Sequence, residues 1–92
     1  MARPSVFSRR LKEARQAKQL SQRNLGIAAG IDAFVASARI NRYEKGVHLP
    51  DLVTAQRIAE VLQTPLPYFF AEEEGMAQAI LRYPRFTPDN SD

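Results

Sequence analysis

Apolar positions recur along the chain at steps of three and four, the spacing of one face of an α-helix. In the first stretch Phe7, Leu11 and Ala14, continued by Lys18, keep that step. Ser5 or Ser8 is the candidate N-cap, and the run ends near Gln19. Ser21 reads as the cap of a second helix, SQRNLGIAAG, with Leu25 and either Ala28 or Ala29 turned inward and Gly30 as its stop. Asp32 caps a third, AFVASARINRYEKG, in which Ala33, Ala36, Ile40, Tyr43 and Val47 share a side and Gly46 marks the end. VHLP then leads to a fourth helix capped by Asp51, with the stripe Leu52, Ala55, Ile58, Ala59 and Leu62. The prolines of QTPLPYFF break that helix, and its aromatics are placed to close a core. The acids of AEEEG suit a helix N-terminus, where carboxylates meet the positive end of the dipole. Met76, Ala79, Ile80 and Tyr83 make one more short amphipathic stretch before Pro84, and the polar TPDNSD resembles the start of a further capped helix. No stretch of any length alternates with period two. The pattern predicts an all-α fold, a compact bundle of about five short helices plus a short C-terminal helix.

Composition narrows what such a bundle does. Ninety-two residues suit one small domain with an appendage. A chain of this size buries roughly two-thirds of its unfolded surface, so its own stability is modest. The absence of cysteine excludes disulfides, thiolate catalysis and sulfur-ligated zinc. No apolar run approaches the roughly 20 residues that span a bilayer, and no apolar signal core follows the N-terminal arginines, so the expected location is the cytoplasm. The net charge of +3 conceals a segregation. Residues 1–50 carry ten Lys/Arg against three acids, whereas residues 51–92 carry three Arg against seven acids. A basic first half points to a polyanion; on charge alone, a merely solvated basic face weighs equally.

Other chemistry finds little support. The four glycines are scattered, so no phosphate-binding loop forms, and His48 stands alone in a loop with no serine or threonine as partner. Glu72, Glu73 and Glu74 are consecutive and diverge at a helix start. Neither a metal, nor a cofactor, nor an enzymatic activity is expected.

Two helices joined by a short glycine-containing turn, inside a basic all-α chain, describe a helix-turn-helix. The small Gly26 lets a crossing helix approach closely, and Gly30 supplies the sharp turn. From Phe7 to Leu62 the chain resembles the phage-repressor family, also called Cro-like or Xre-like. The landmarks are Phe7, Leu11, Arg15, Leu20-Ser21-Gln22, Leu25, Gly30, Ile40, Tyr43-Glu44, Gly46, Pro50, Leu52, Ile58-Ala59 and Leu62. Gly26 stands where the family usually has alanine, a change that keeps the volume small. Relative to the family, about four residues are inserted between Gly30 and Ile40, roughly one helical turn. The economical reading is a recognition helix extended at its N-terminus, over about 33–44; a longer loop with the helix starting near Ser37 is the alternative.

The resemblance implies a lambda-repressor-like DNA-binding domain over residues 1–70 and a helical tail over 71–92. It places Ser37, Ala38 and Arg42 at base-reading positions. Arg42 is the foremost specificity candidate, since a guanidinium bonds both guanine O6 and N7. Asn41 suits adenine or phosphate. Gln22 lies near the phosphate backbone, where a helix N-terminus adds free N–H groups, and Arg23, Arg39 and Lys45 are phosphate candidates. Arg15 and Glu44 correspond to an ion pair of structural value. Phe34 and Val35 belong to the inserted turn; local packing is the favoured reading for them, an apolar contact with thymine methyls or a groove wall the other.

These implications lead to a sequence-specific transcriptional regulator, a repressor in the simplest case. It would bind a palindromic operator as a homodimer whose half-sites lie about 34 Å apart. Met76, Ile80, Tyr83 and Phe86 are the candidate dimer contacts. The alternative is an antitoxin-type interaction module whose tail binds a partner protein.

Overall fold

The computed structural model describes residues 5–84. It is helical throughout: α1 (Val6–Ala17), α2 (Gln22–Ala28), α3 (Ala33–Glu44), α4 (Leu52–Val61), a 3-10 helix (Leu66–Phe70) and α5 (Glu74–Arg82). Among the described residues there is no strand. Phe86 and the TPDNSD end lie outside the described residues.

Side-chain caps set the starts of α1 to α4, whereas α5 begins after Glu73 with no side-chain cap. Ser5 caps α1 in a reciprocal box: its hydroxyl accepts from the Ser8 N–H at 3.1 Å, and the Ser8 hydroxyl accepts from the Ser5 N–H at 2.7 Å. Ser21 accepts from the Asn24 N–H, Asp32 from the Phe34 N–H and Asp51 from the Thr54 N–H, at 2.9, 3.1 and 3.0 Å. Each cap satisfies a donor that the first helical turn leaves without a carbonyl. The ends of α1 to α4 share one device, a left-handed residue after the last turn. Gly30 (φ 89°) and Gly46 (φ 75°) fill it after α2 and α3, but Gln19 (φ 58°) and Gln63 (φ 52°) fill it after α1 and α4. Because Asp32 caps α3 directly after the Gly30 turn, the inserted residues lengthen the helix and not the loop.

Phe7, Leu11, Leu25, Ala36, Ile40, Ile58, Leu62 and Phe69 form the centre of the core, each at most 2% exposed. Phe7 meets Phe69 and Phe70 with ring centroids 5.7 and 5.3 Å apart. Some assignments shift. Ala29, and not Ala28, faces inward. Ala33 is exposed because it opens the added turn of α3, which extends past the core-forming residues; Val47 follows the helix end and is also exposed. Leu52 is 64% exposed, in the first turn of α4, so that helix's buried stripe starts at Ala55.

Of the helix pairs among the described residues, α2 and α3 pack most extensively. A Cβ on Gly26 would lie 2.7 Å from the Ala36 Cβ and 3.0 Å from the Ala36 carbonyl oxygen. Real carbon atoms do not approach that closely, so the usual alanine does not fit here without movement. Gly26 sets the separation of the two helices.

Candidate nucleic-acid interface

The inner side of α3 is fixed by Ala36, Ile40 and Tyr43 and by a polar network at its C-terminal end. The Glu44 carboxylate, 3% exposed, takes two bonds from Arg15: Nε at 2.5 Å and Nη2 at 3.1 Å. Arg15 Nη1 also donates to the Leu20 carbonyl at 2.8 Å, so one guanidinium joins α1, the link to α2, and α3. The Gln22 amide nitrogen donates to Glu44 at 3.1 Å and to Asn41 Oδ1 at 3.2 Å. Both donors of Gln22 are thus used within the protein. Asn41 accepts through its oxygen, and its NH2 has no partner among the described residues.

The opposite side of α3 carries Ala38 and Arg42, continued by Lys45 at its C-cap, with Ser37 on the flank; all four are exposed. Arg23 on α2 is exposed as well. Arg39 is half-buried: its guanidinium donates to the Tyr43 hydroxyl at 2.7 Å and lies 5.8 Å from the centre of that ring. Arg39 and Arg42, with Tyr43, His48, Leu49 and Asp51, line an open cleft of about 470 Å³. Its one carboxylate, Asp51, is held below the usual range by hydrogen bonds from the Thr54 side chain and N–H, with Arg39 and Arg57 adding to the effect.

A rigid helix with a cationic outer face, braced against a second helix by a glycine contact, has the geometry of a groove-reading element. The sequence model of the helix-turn-helix family matches residues 11–69. The chain belongs to that family. Two solved structures are similar to it. The transcriptional regulator BswR is 42% identical, with a TM-score of 0.78 over 88% of this chain and 80% of its own. The restriction-modification controller protein C.AhdI from Aeromonas hydrophila is 31% identical, with a TM-score of 0.62 over 71% of this chain and 92% of its own. No curated protein sequence matches the chain. This helix-turn-helix protein is a DNA-binding transcriptional regulator of the Cro-like, or Xre-like, type.

One feature escapes a reading of the helix-turn-helix sequence. Arg10 is 1% exposed, not part of a basic surface. Its Nε donates to the Ala71 carbonyl at 2.8 Å, its Nη1 lies 3.5 Å from Glu74, and its guanidinium sits 4.9 Å from the centre of the Tyr68 ring. The signal was present in its spacing, three residues after Phe7 and four before Ala14 on the inward face. Phe34 is 97% exposed, so the favoured local packing does not hold for its ring; Val35 beside it is 42% exposed.

In α5 the inward residue is Ala77, fully buried. The stripe expected from the sequence is divided: Met76 is 55% and Tyr83 75% exposed, while Ile80 is half-buried and packs against the core. With Pro65, Pro67 and Ala79 these residues line an apolar groove of about 400 Å³. Among the described residues no helix is long and apolar enough to cross a membrane, and no three His, Asp or Glu converge to hold a metal ion.

Proposed function

We propose that the protein is a repressor that binds a palindromic operator as a homodimer, with α3 in the major groove of each half-site. The observation that carries this reading is the division of α3. Its inner residues and C-terminal end are locked into the fold, while Ser37, Ala38, Arg42 and Lys45 are exposed, their side chains without a hydrogen-bond or ion-pair partner among the described residues. Arg42 is the principal base reader, bonding guanine O6 and N7. Asn41, whose NH2 has no partner among the described residues, donates to a base or a phosphate. Arg23, Arg39 and Lys45 hold phosphates and supply affinity without sequence information. Gln22 and the Arg15–Glu44 pair orient the recognition helix from behind. Residues 1–70 read DNA in the cytoplasm; the tail from residue 71 supplies the dimer contact through Met76, Ile80 and Tyr83, together with Phe86.

The deciding experiment is selection from randomised duplexes, followed by fluorescence anisotropy with wild type and Arg42→Ala. Enrichment of a palindrome is expected. Arg42→Ala should cost about 1–3 kcal/mol and relax one base position in each half-site. Weak binding with no enriched sequence, unaffected by the substitution, would overturn the reading and turn attention to a protein partner of the tail.

A further inference from the structure

We propose that Phe34 reads thymine: its ring packs on a thymine C5-methyl group in the major groove, adding an apolar specificity determinant to each half-site. The inference rests on α3 being the groove-entering helix. At 97% exposure the ring makes almost no contact with its own chain, so it contributes next to nothing to this fold. Lone exposed apolar residues are common on protein surfaces, but this one has a specific place. At about 100° per residue, Phe34, Lys45, Ala38 and Arg42 fall within a sector of roughly 80°, opposite Ala36, Ile40 and Tyr43. The ring therefore shares the face proposed to meet DNA, flanked by the cations that a phosphate backbone would attract.

Its position along the helix is equally specific. Phe34 is the second residue of α3, in the turn added by the insertion, and its N–H is held by the Asp32 cap at 3.1 Å. Helix-turn-helix proteins present the N-terminal residues of the recognition helix to base edges. A rise of about 1.5 Å per residue sets Phe34 roughly 12 Å ahead of Arg42, three to four base-pair steps of 3.4 Å. One half-site spans both. A phenyl ring has no hydrogen bond to offer a base edge, and the apolar group displayed in the major groove is the thymine methyl. The inserted turn thus extends the reading surface with apolar recognition, where Arg42 supplies polar recognition.

The test uses the selected operator. Each thymine of a half-site is replaced in turn by uracil, which deletes only the C5-methyl group, and affinity is measured by anisotropy for wild type, Phe34→Ala and Phe34→Leu. At one thymine, no more than four base pairs from the guanine assigned to Arg42, uracil should weaken wild type about threefold to fivefold per half-site, the burial of one methyl. Phe34→Ala should be indifferent to that substitution and Phe34→Leu partly sensitive. All three proteins should unfold at the same temperature, because the ring supports nothing in the fold. Equal sensitivity of wild type and Phe34→Ala at every thymine, insensitivity of wild type throughout, or a half-site without thymine would overturn the proposal and leave the operator reading intact. Failure of wild type to select any sequence would overturn both.

Discussion

Gly26 shows how much one hydrogen decides. The family's usual alanine normally favours a helix by about 1 kcal/mol over glycine. Here the added methyl would meet Ala36 at 2.7 Å, and overpacking a tight contact costs roughly 1–3 kcal/mol. Gly26→Ala should therefore lower stability by about 1 kcal/mol net, and by disturbing the α2–α3 angle it should weaken DNA binding more than the stability loss explains. Thermal denaturation and anisotropy on one sample would check both; a stabilised variant would show that the two helices slide apart without penalty. Asp51 gives a pH-dependent counterpart. Bonds from Thr54 at the α4 cap hold its folded-state pKa below the ordinary value, so its contribution is complete above that ordinary value. It is lost as the pH falls through the lowered one. The melting temperature of wild type should decline on acidification across this window, and Asp51→Asn, which keeps a cap but does not titrate, should show a shallower decline. Coincident pH profiles would rule Asp51 out as a source.

At the scale of elements, the helices themselves were legible because their signals are local: caps at Ser21, Asp32 and Asp51, stops at Gly30 and Gly46, and inward stripes between them. What the sequence hid was long-range. Periodicity locates a face but not its partner, so Ala77 is the buried residue of α5 while the more apolar Met76 and Tyr83 are exposed. Likewise, an arginine on the inward face reads as surface charge until Ala71 and Tyr68 arrive from 61 and 58 residues further on. Phe34 is the converse, an aromatic whose two readings, local packing and apolar contact with DNA, pattern alone does not separate. Arg10 makes the docking of α5 testable. Its bond to the buried Ala71 carbonyl and its stacking on Tyr68 outweigh its contact with Glu74, which is 66% exposed and water-screened. Arg10→Ala should cost about 2–4 kcal/mol, leaving that carbonyl without its donor. Hydrogen exchange should quicken in α5 before α2 and α3. Glu74→Gln should change stability very little; a loss as large as that of Arg10→Ala would assign the docking to the ion pair instead.

Over the whole molecule, two surfaces stand apart in character: the cationic outer face of α3 and the apolar groove of α5. A dimer reader uses both at once, and its affinity depends on their connection. Once one half-site is bound, the second recognition helix meets DNA at an effective concentration set by the link between protomers, which multiplies affinity by about 10²–10⁴ with no new contact. Charge in the groove should break that link without touching α3. Met76 and Tyr83 are largely exposed, so the double substitution Met76→Glu, Tyr83→Glu leaves the core intact. Sedimentation should then show a monomer with an unchanged circular dichroism spectrum, and operator affinity should fall at least 100-fold, while binding to a single half-site stays as in wild type. A variant that remains dimeric, or that loses half-site binding equally, would mean that α5 does not join the protomers or that it supports the DNA-binding face directly.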